Sequence, residues 1–132
     1  MKKKVSFDFD DTLSYEEVQD YAKSLIEQGI DVHIVTSRYE DPSKYNFPCD
    51  HNDLLNVAIN LGIPKSHIHF TNFENKAHFF AGNPDFVWHM DDNPDETAAI
   101  NSFTNTKGIF WLHSNWKYKC NELLELPNET KD

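Results

Sequence analysis

The stretch FDFDDTLS, from Phe7 to Ser14, places three aspartates within four positions directly after an apolar run. The residues that lead into it, Lys4–Phe9, are rich in β-branched and aromatic side chains and predict a strand. Carboxylates this close repel one another, and removing them from water adds to the cost. Acids grouped at the end of a buried strand therefore indicate a site that holds a positive charge.

Short apolar runs alternate with helical segments along the rest of the chain. Four more strands are predicted, at Val32–Val35, Ile68–Phe70, Phe86–Met90 and Ile109–Leu112. Helices are predicted from Ser14 to Gly29, at Asp50–Leu61, at Asn75–Ala81, from Asn93 onward and at Trp116–Leu126. This alternation predicts an α/β fold, a three-layer α/β/α Rossmann-like domain with a five-stranded parallel sheet. We expect residues 1–132 to form a single domain of this kind.

Two of the helix starts carry capping signals. Ser14 followed by Glu17 is the pattern of a capping box, in which a hydroxyl and a carboxylate satisfy the first free amides of a helix. Asn93 before Pro94 is typical of an N-cap residue followed by proline at the first helical position. We therefore expect Ser14 and Asn93 to cap their helices.

The composition limits the classes of function. Among the 132 residues, 22 are acidic and 12 are basic, so the formal charge is −10. Non-specific nucleic-acid binding depends on Lys and Arg, and this balance argues against it. The two cysteines, Cys49 and Cys120, are too few for a disulfide framework, so we expect free thiols. No apolar run is long enough for a signal peptide or a membrane span, and we expect a cytoplasmic protein with no membrane partner.

Polar residues follow the predicted strands at the point where each strand ends. The first strand is followed by Asp8-Phe9-Asp10-Asp11-Thr12, the second by Thr36-Ser37-Arg38 and the fourth by Asp91-Asp92, while Lys76 opens the helix after the third. The carboxyl ends of parallel strands meet at one edge of a sheet, where ligands bind in open α/β folds. We expect these residues to converge in one pocket.

The set resembles the motifs of the haloacid dehalogenase-like (HAD) superfamily of hydrolases, most of which are phosphatases. The stretch from Asp8 to Thr12 matches the family's Asp-x-Asp-x-Thr motif, and Thr36 matches the hydroxyl of its second motif. Lys76 matches the lysine of the third motif, and Asp91-Asp92 matches the acidic fourth. The four motifs occur in order, so the resemblance covers nearly the whole chain.

The resemblance implies a Mg²⁺-dependent phosphatase that acts on a phosphorylated substrate. Asp8 would be the nucleophile that forms an aspartyl-phosphate, and Asp10 would protonate the leaving oxygen and then activate water. Mg²⁺ prefers oxygen ligands. Its expected ligands are Asp8, the backbone carbonyl of Asp10, Asp91 and Asp92, although the sequence leaves open whether Asp92 or Asp95 contacts the metal.

The resemblance also implies which residues bind the phosphoryl group. Thr36 and Lys76 would contact its oxygens, and the remaining substrate-binding candidates are Thr12, Ser37 and Arg38. Arg38 is the only arginine in the chain, and its planar donors suit a phosphate.

The segment that begins at Arg38 is free to shape specificity. Tyr39, Tyr45 and Phe47 would either stack on an aromatic group of the substrate or pack as a small satellite core. The segment is similar to the corresponding region of the phosphatase domain of phage-type polynucleotide kinases, which removes 3′-phosphates. A nucleotide, a nucleic-acid 3′-phosphate and a phosphoprotein stay open as substrates.

Many members of the superfamily carry a cap domain between the first and second motifs or between the second and third. Here a helix and a strand take up most of each interval, so we expect no cap domain. What then excludes water from the site is open, and one option is a lid supplied by a partner subunit in a homo-oligomer.

Two other functions remain as alternatives. One is a receiver-like signalling module that accepts a phosphoryl group, although receivers place the accepting Asp after the third strand, where this chain has Phe70-Thr71-Asn72. The other is a catalytically idle phosphate-binding protein on the same scaffold. Cys49 is left unassigned, and His67 and His69 are interpreted as strand residues rather than metal ligands.

Overall fold

Five parallel strands form the central layer of the computed structural model, which describes residues 2–46 and 49–128. They are β1 (Lys4–Phe7), β2 (Asp31–Thr36), β3 (Ile68–Phe70), β4 (Phe86–Asp91) and β5 (Lys107–Phe110). Their order across the sheet is β3-β2-β1-β4-β5, and every neighbouring pair is parallel. The prediction of a five-stranded parallel sheet is confirmed.

Helices cover both faces of this sheet. They are α1 (Glu16–Glu27), α2 (Asn52–Leu61), α3 (Lys76–Gly82), α4 (Pro94–Phe103) and α5 (Trp116–Leu124). The larger core lies between the sheet and α1, α2 and α5, and the smaller core lies between the sheet and α3 and α4. Side chains of a strand alternate between faces, so Ile34 belongs to the first core and Val35 to the second. The α/β/α layering predicted from the sequence is thus confirmed.

A wide turn separates β1 from α1. The amides of Leu13 and Ser14 donate to the carbonyls of Asp8 and Phe9, each at 3.0 Å. The strand therefore ends at Phe7, two residues earlier than predicted.

The predicted capping box at Ser14 is wrong for the same reason. The α1 helix begins after Tyr15, whose side chain makes no capping hydrogen bond. The Ser14 hydroxyl instead accepts from the amide of Asp11 at 3.1 Å, because Ser14 belongs to the turn. The cap predicted at Asn93 is confirmed, since its side chain accepts from the amide of Asp95 at 2.9 Å and Pro94 begins α4.

The connections between the strands are short. Between β1 and β2 the chain forms only the turn and α1, and the described residues between β2 and α3 form two 3₁₀ turns, α2 and β3. Neither interval contains a cap domain within the part of the chain described. Over the same residues, no helix has both the length and the apolar character needed to cross a membrane.

Candidate functional site

The candidate site lies where the strand order reverses. The chain leaves β1 toward β2 on one side of the sheet, whereas β4 and β5 lie on the other side of β1. Such a switch point opens a crevice at the carboxyl ends of the two central strands. Asp8 directly follows β1 and Asp91 is the last residue of β4, and the amide of Asp8 donates to the carbonyl of Met90 at 2.8 Å. The fold therefore brings together two of the predicted metal ligands.

Lys76 lies between these carboxylates. Its Nζ is 2.9 Å from Asp8 Oδ1 and 2.7 Å from Asp91 Oδ2, and the exposed fractions of the three side chains are 1%, 8% and 2%. Asn75 fixes the start of α3, because its side chain accepts from the amide of Ala77 at 2.9 Å. Burial alone would lower the pKa of Lys76, but the charges and hydrogen bonds of Asp8 and Asp91 outweigh burial and raise it. The ammonium is thus held charged inside the site.

A third carboxylate completes an all-oxygen cluster. Asp8, Asp91 and Asp92 each offer an oxygen, and these oxygens lie within 4.8 Å of one another. When all three are ionised, one ammonium leaves two negative charges uncompensated (three minus one). This donor set suits a hard divalent cation such as Mg²⁺, so the residues present fit the predicted metal.

The carboxyl groups of this cluster differ in proton affinity. Burial raises the pKa of Asp8 well above its usual range, and the charge of Asp91 and a hydrogen bond with Asp92 add to that rise. Burial and the charge of Asp91 also raise the pKa of Asp92. Burial would raise the pKa of Asp91 too, but hydrogen bonds from His89 and Lys76 and the charge of Lys76 bring it below the usual range. Groups shifted this strongly are concentrated at functional sites in proteins.

A buried chain of side chains behind Asp91 was missed by the sequence analysis. His89 Nε2 is 2.8 Å from Asp91 Oδ2, and its Nδ1 is 2.8 Å from the hydroxyl of Ser6. Burial lowers the pKa of His89 to about 4, so the neutral ring donates from Nε2 and accepts at Nδ1. Strand periodicity carried a signal for this chain, because Ser6 and His89 each precede a site aspartate by two positions and share its face.

Asp10 and Arg38 form a second charged unit at the rim of the site. Arg38 Nε and Nη2 donate to the two carboxylate oxygens of Asp10 at 3.0 and 2.7 Å. The same guanidinium donates twice to Asp53, at 2.9 Å each, and lies over the ring of Phe9. Hydrogen bonds to Asp53 and then to Asp10 raise the pKa of Arg38. The structure thus brings the expected acid–base residue to the expected phosphate-binding arginine, a pairing that the sequence did not predict.

The predicted hydroxyl residues lie in the turn after β1 and at the end of β2. Thr12 is fully buried, and its hydroxyl donates to Asp8 Oδ2 at 3.4 Å. Thr36 ends the neighbouring strand β2, and its hydroxyl accepts from the amide of Arg38 at 3.3 Å. Ser37 follows it and is half-buried. In the structure Thr12 therefore contacts a candidate ligand directly, whereas Thr36 orders the start of the Arg38 loop.

The aromatic residues near Arg38 pack on one another. The ring of Tyr39 lies 4.9 Å from that of Phe73 and 5.5 Å from that of Tyr45, measured between centroids. Phe73 is 59% exposed. Phe47, the third aromatic residue predicted for this group, lies outside the described residues. Cys49 is half-buried and its thiol is free.

A separate cavity of ≈ 490 Å³ opens along the outer edge of β3. All three residues of β3 line it, and so do His51, Leu55 and Phe79. None of the three clustered carboxylates lines it. The concentration of buried charge, rather than the size of this cavity, locates the candidate site.

Comparisons with known proteins place the chain by its fold. A search of protein-family models finds no match, and a search of curated proteins also finds none. Similar solved structures include an uncharacterized protein from Corynebacterium glutamicum ATCC 13032 Kitasato. That similarity covers 98% of this chain and 100% of the other, with a TM-score of 0.67 and 14% sequence identity. At this identity the likeness shows a shared three-layer α/β/α fold and nothing further.

Proposed function

We propose that this protein is a Mg²⁺-dependent phosphomonoesterase that works through an aspartyl-phosphate on Asp8, as its resemblance to HAD hydrolases implies. The observation that carries the proposal is the cluster of the buried Asp8 and Asp91, both bound to Lys76, with the half-buried Asp92 at the switch point of the sheet. Two buried carboxylates and a half-buried third with only one ammonium cost free energy in a metal-free protein. A site that binds a divalent cation and a phosphate accounts for that cost.

In the first half-reaction, a carboxylate oxygen of Asp8 forms a bond to phosphorus as the bond from phosphorus to the leaving oxygen breaks. The leaving oxygen takes a proton from Asp10 and departs as an alcohol. Lys76 and Thr12, which already contact the two oxygens of Asp8, orient its carboxylate. When bound by Asp8, Asp91 and Asp92, Mg²⁺ would offset the negative charge of the phosphate and of the nucleophile.

In the second half-reaction, Asp10 accepts a proton from water while that water attacks phosphorus. The bond between phosphorus and Asp8 then breaks, which releases inorganic phosphate and restores both carboxyl groups. Asp10 is suited to exchange protons with substrate and water, since its side chain is 56% exposed whereas that of Asp8 is 8% exposed.

Arg38 controls when Asp10 becomes available. Both oxygens of Asp10 are bonded to the guanidinium, so at least one must be released before Asp10 can carry a proton. A phosphate is itself a bidentate partner for arginine. The arriving substrate therefore replaces Asp10 on Arg38, and Asp53 keeps the guanidinium in position.

The strand order does not favour the receiver-like alternative. Receiver domains have the flavodoxin-like order 2-1-3-4-5, whereas this sheet has the order 3-2-1-4-5. The residues at the carboxyl end of β3, moreover, hold no carboxylate, because Phe70 is followed by Thr71 and Asn72.

The proposal is tested by the hydrolysis of para-nitrophenyl phosphate with Mg²⁺ and with a chelator. We expect phosphate release that requires Mg²⁺ and falls at least about 10³-fold in Asp8→Asn, because the nucleophile is lost. Asp20→Asn, on the exposed surface of α1, is the matched control and should keep full activity.

Three results would count against the proposal. They are activity that survives in Asp8→Asn, activity that is unaffected by the chelator, and absence of turnover across a panel of nucleotides, sugar phosphates, phosphopeptides and 3′-phosphorylated oligonucleotides. The last result would favour the idle phosphate-binding protein.

A further inference from the structure

A second group of metal-ligating side chains lies away from the candidate active site. Asp31 and His33 belong to the first half of β2, and His67 ends the 3₁₀ turn that precedes β3. His69 follows on β3. The interpretation of His67 as a strand residue is therefore wrong. The active-site residues follow the other end of the strands, about 10–15 Å away at 3.3 Å per residue.

The carboxylate of Asp31 contacts both histidines of this group. His33 Nε2 is 3.2 Å from Asp31 Oδ2, and His67 Nδ1 is 3.3 Å from Asp31 Oδ1. The ligand atoms of the three residues all lie within 4.8 Å of one another. Metal–ligand bonds of about 2.0–2.1 Å in tetrahedral geometry separate neighbouring ligand atoms by about 3.3–3.4 Å. The two contacts use different oxygens of Asp31, and small side-chain rotations would bring one ligand atom of each residue to these separations around a single ion.

His69 provides a partner for the ring nitrogen of His33 that faces away from Asp31. His33 Nδ1 is 2.9 Å from His69 Nε2. Histidines that bind a metal usually donate their other ring N–H to a nearby acceptor, which fixes the tautomer and the ring orientation.

An ion can reach this group from solvent. The His67 side chain is 29% exposed and that of Asp31 is 23% exposed, whereas His33 lies behind them at 8%. The nearby Lys4 ammonium, which would repel a cation, is bound to Asp85 at 2.8 Å. The rings of His33 and His67 stack with 4.0 Å between centroids, and a shared ion would tilt them apart.

We propose that Asp31, His33 and His67 form a binding site for a borderline divalent transition metal such as Zn²⁺, with His69 as the hydrogen-bonding partner of His33. Two imidazole nitrogens and one carboxylate oxygen are a donor set that Zn²⁺ prefers and Mg²⁺ does not. The protein would then bind two cations of different hardness, one at each end of the sheet.

The proposed role of this second ion is structural. It would join the start of β2 to the turn before β3, and β3 is a strand of only three residues at the edge of the sheet. A ligand that binds the folded chain and not the unfolded chain stabilises the fold. The ion should therefore raise the melting temperature.

The test is a Zn²⁺ titration of the metal-free full chain, prepared without a polyhistidine tag and in saturating Mg²⁺, followed by calorimetry. We expect one Zn²⁺ per chain, with affinity reduced at least tenfold in His67→Ala and in Asp31→Asn, and reduced about 10–100-fold in His69→Ala. Replacement by Co²⁺ should give the visible absorption of a tetrahedral site. His113→Ala, an exposed histidine outside the group, and Asp91→Asn, from the oxygen cluster, should bind Zn²⁺ as the wild type does.

The melting temperature gives a second readout that does not depend on activity. Zn²⁺ should raise it in the wild type and raise it less in His67→Ala at the same Zn²⁺ concentration, because the variant binds the ion more weakly. Absence of stoichiometric Zn²⁺ binding by the wild type would overturn the proposal. Equal binding by His67→Ala, Asp31→Asn and His113→Ala would also overturn it. Neither result bears on the proposed phosphatase, which uses the other end of the sheet.

Discussion

At the scale of single residues, Asp8 and Asp91 both contact the Lys76 ammonium, yet their pKa values move in opposite directions. Asp91 also accepts from His89 and from the amide of Asn93, so its charged form is well solvated by the protein. Asp8 has Lys76 and a long contact with Thr12, and it lies beside Asp92, so its charged form is less well stabilised. Replacing Asp8 by a neutral residue should therefore raise the free energy of unfolding, and replacing Asp91 by a neutral residue should lower it.

We predict that, in a chelator at mildly alkaline pH, Asp8→Asn stabilises the protein by about 1 kcal/mol and Asp91→Asn destabilises it by about 2 kcal/mol. Denaturant unfolding checks both values. When folding raises the pKa of a carboxyl group, the free energy of unfolding of the protein falls as the pH rises from the ordinary pKa of about 3.9 through the pKa of the folded state. The gain in Asp8→Asn should therefore grow with pH over that window and then level off.

The same reasoning gives the opposite pH dependence for Asp91→Asn. A carboxyl group with a lowered folded pKa stabilises the protein above its ordinary pKa and loses that contribution as the pH falls through the folded value. The deficit of Asp91→Asn should therefore shrink on acidification below about pH 4. Deficits of equal sign and size in the two variants would contradict the assignment of opposite pKa shifts.

At the scale of secondary-structure elements, the sequence predicted a helix cap correctly where the cap depends only on neighbouring residues. Asn93 caps α4 as predicted, because an N-cap needs only the side chain and the amide two residues later. Ser14 has the same kind of signal, but its hydroxyl accepts from the amide of Asp11 within the turn that follows β1. The amide of Ser14 donates to the carbonyl of Phe9 in the same turn. The spacing of Ser14 and Glu17 could not show whether the Ser14 hydroxyl caps α1 or accepts a hydrogen bond within the turn.

Gly108 sets the distance between β5 and α4. A Cβ atom built there would lie 2.6 Å from the carbonyl oxygen of Thr97 and 2.8 Å from its Cα, both backbone atoms that cannot rotate away. We predict that Gly108→Ala lowers the free energy of unfolding by roughly 1–3 kcal/mol, measured by denaturant unfolding. Gly82→Ala is the matched control, because nothing lies within 4 Å of its Cβ position, and it should change stability by less than about 0.5 kcal/mol. Equal effects of the two substitutions would mean that α4 does not pack this closely on β5.

At the scale of the whole molecule, the sequence predicted which residues share one edge of the sheet but not how they pair. A parallel sheet is enough to bring Asp8, Asp91 and Lys76 to the same edge. The pairing of Arg38 with Asp10 and Asp53 depends on the path of a loop, which carries no periodic signal. The meeting of His33 with His67 depends on β2 and β3 being neighbours, and strand order cannot be read from residue spacing.

The proposed function requires that Asp8, at the switch point of the sheet, carries the phosphoryl group during turnover. The most direct measurement is mass spectrometry of acid-quenched Asp10→Asn after incubation with Mg²⁺ and para-nitrophenyl phosphate, since loss of the residue that activates water should slow hydrolysis of the intermediate. We predict a phosphoryl group on the peptide that contains Asp8, present with Mg²⁺ and absent with a chelator or in a variant that also carries Asp8→Asn. A phosphoryl group on any other residue, or one that forms equally well without Mg²⁺, would contradict it.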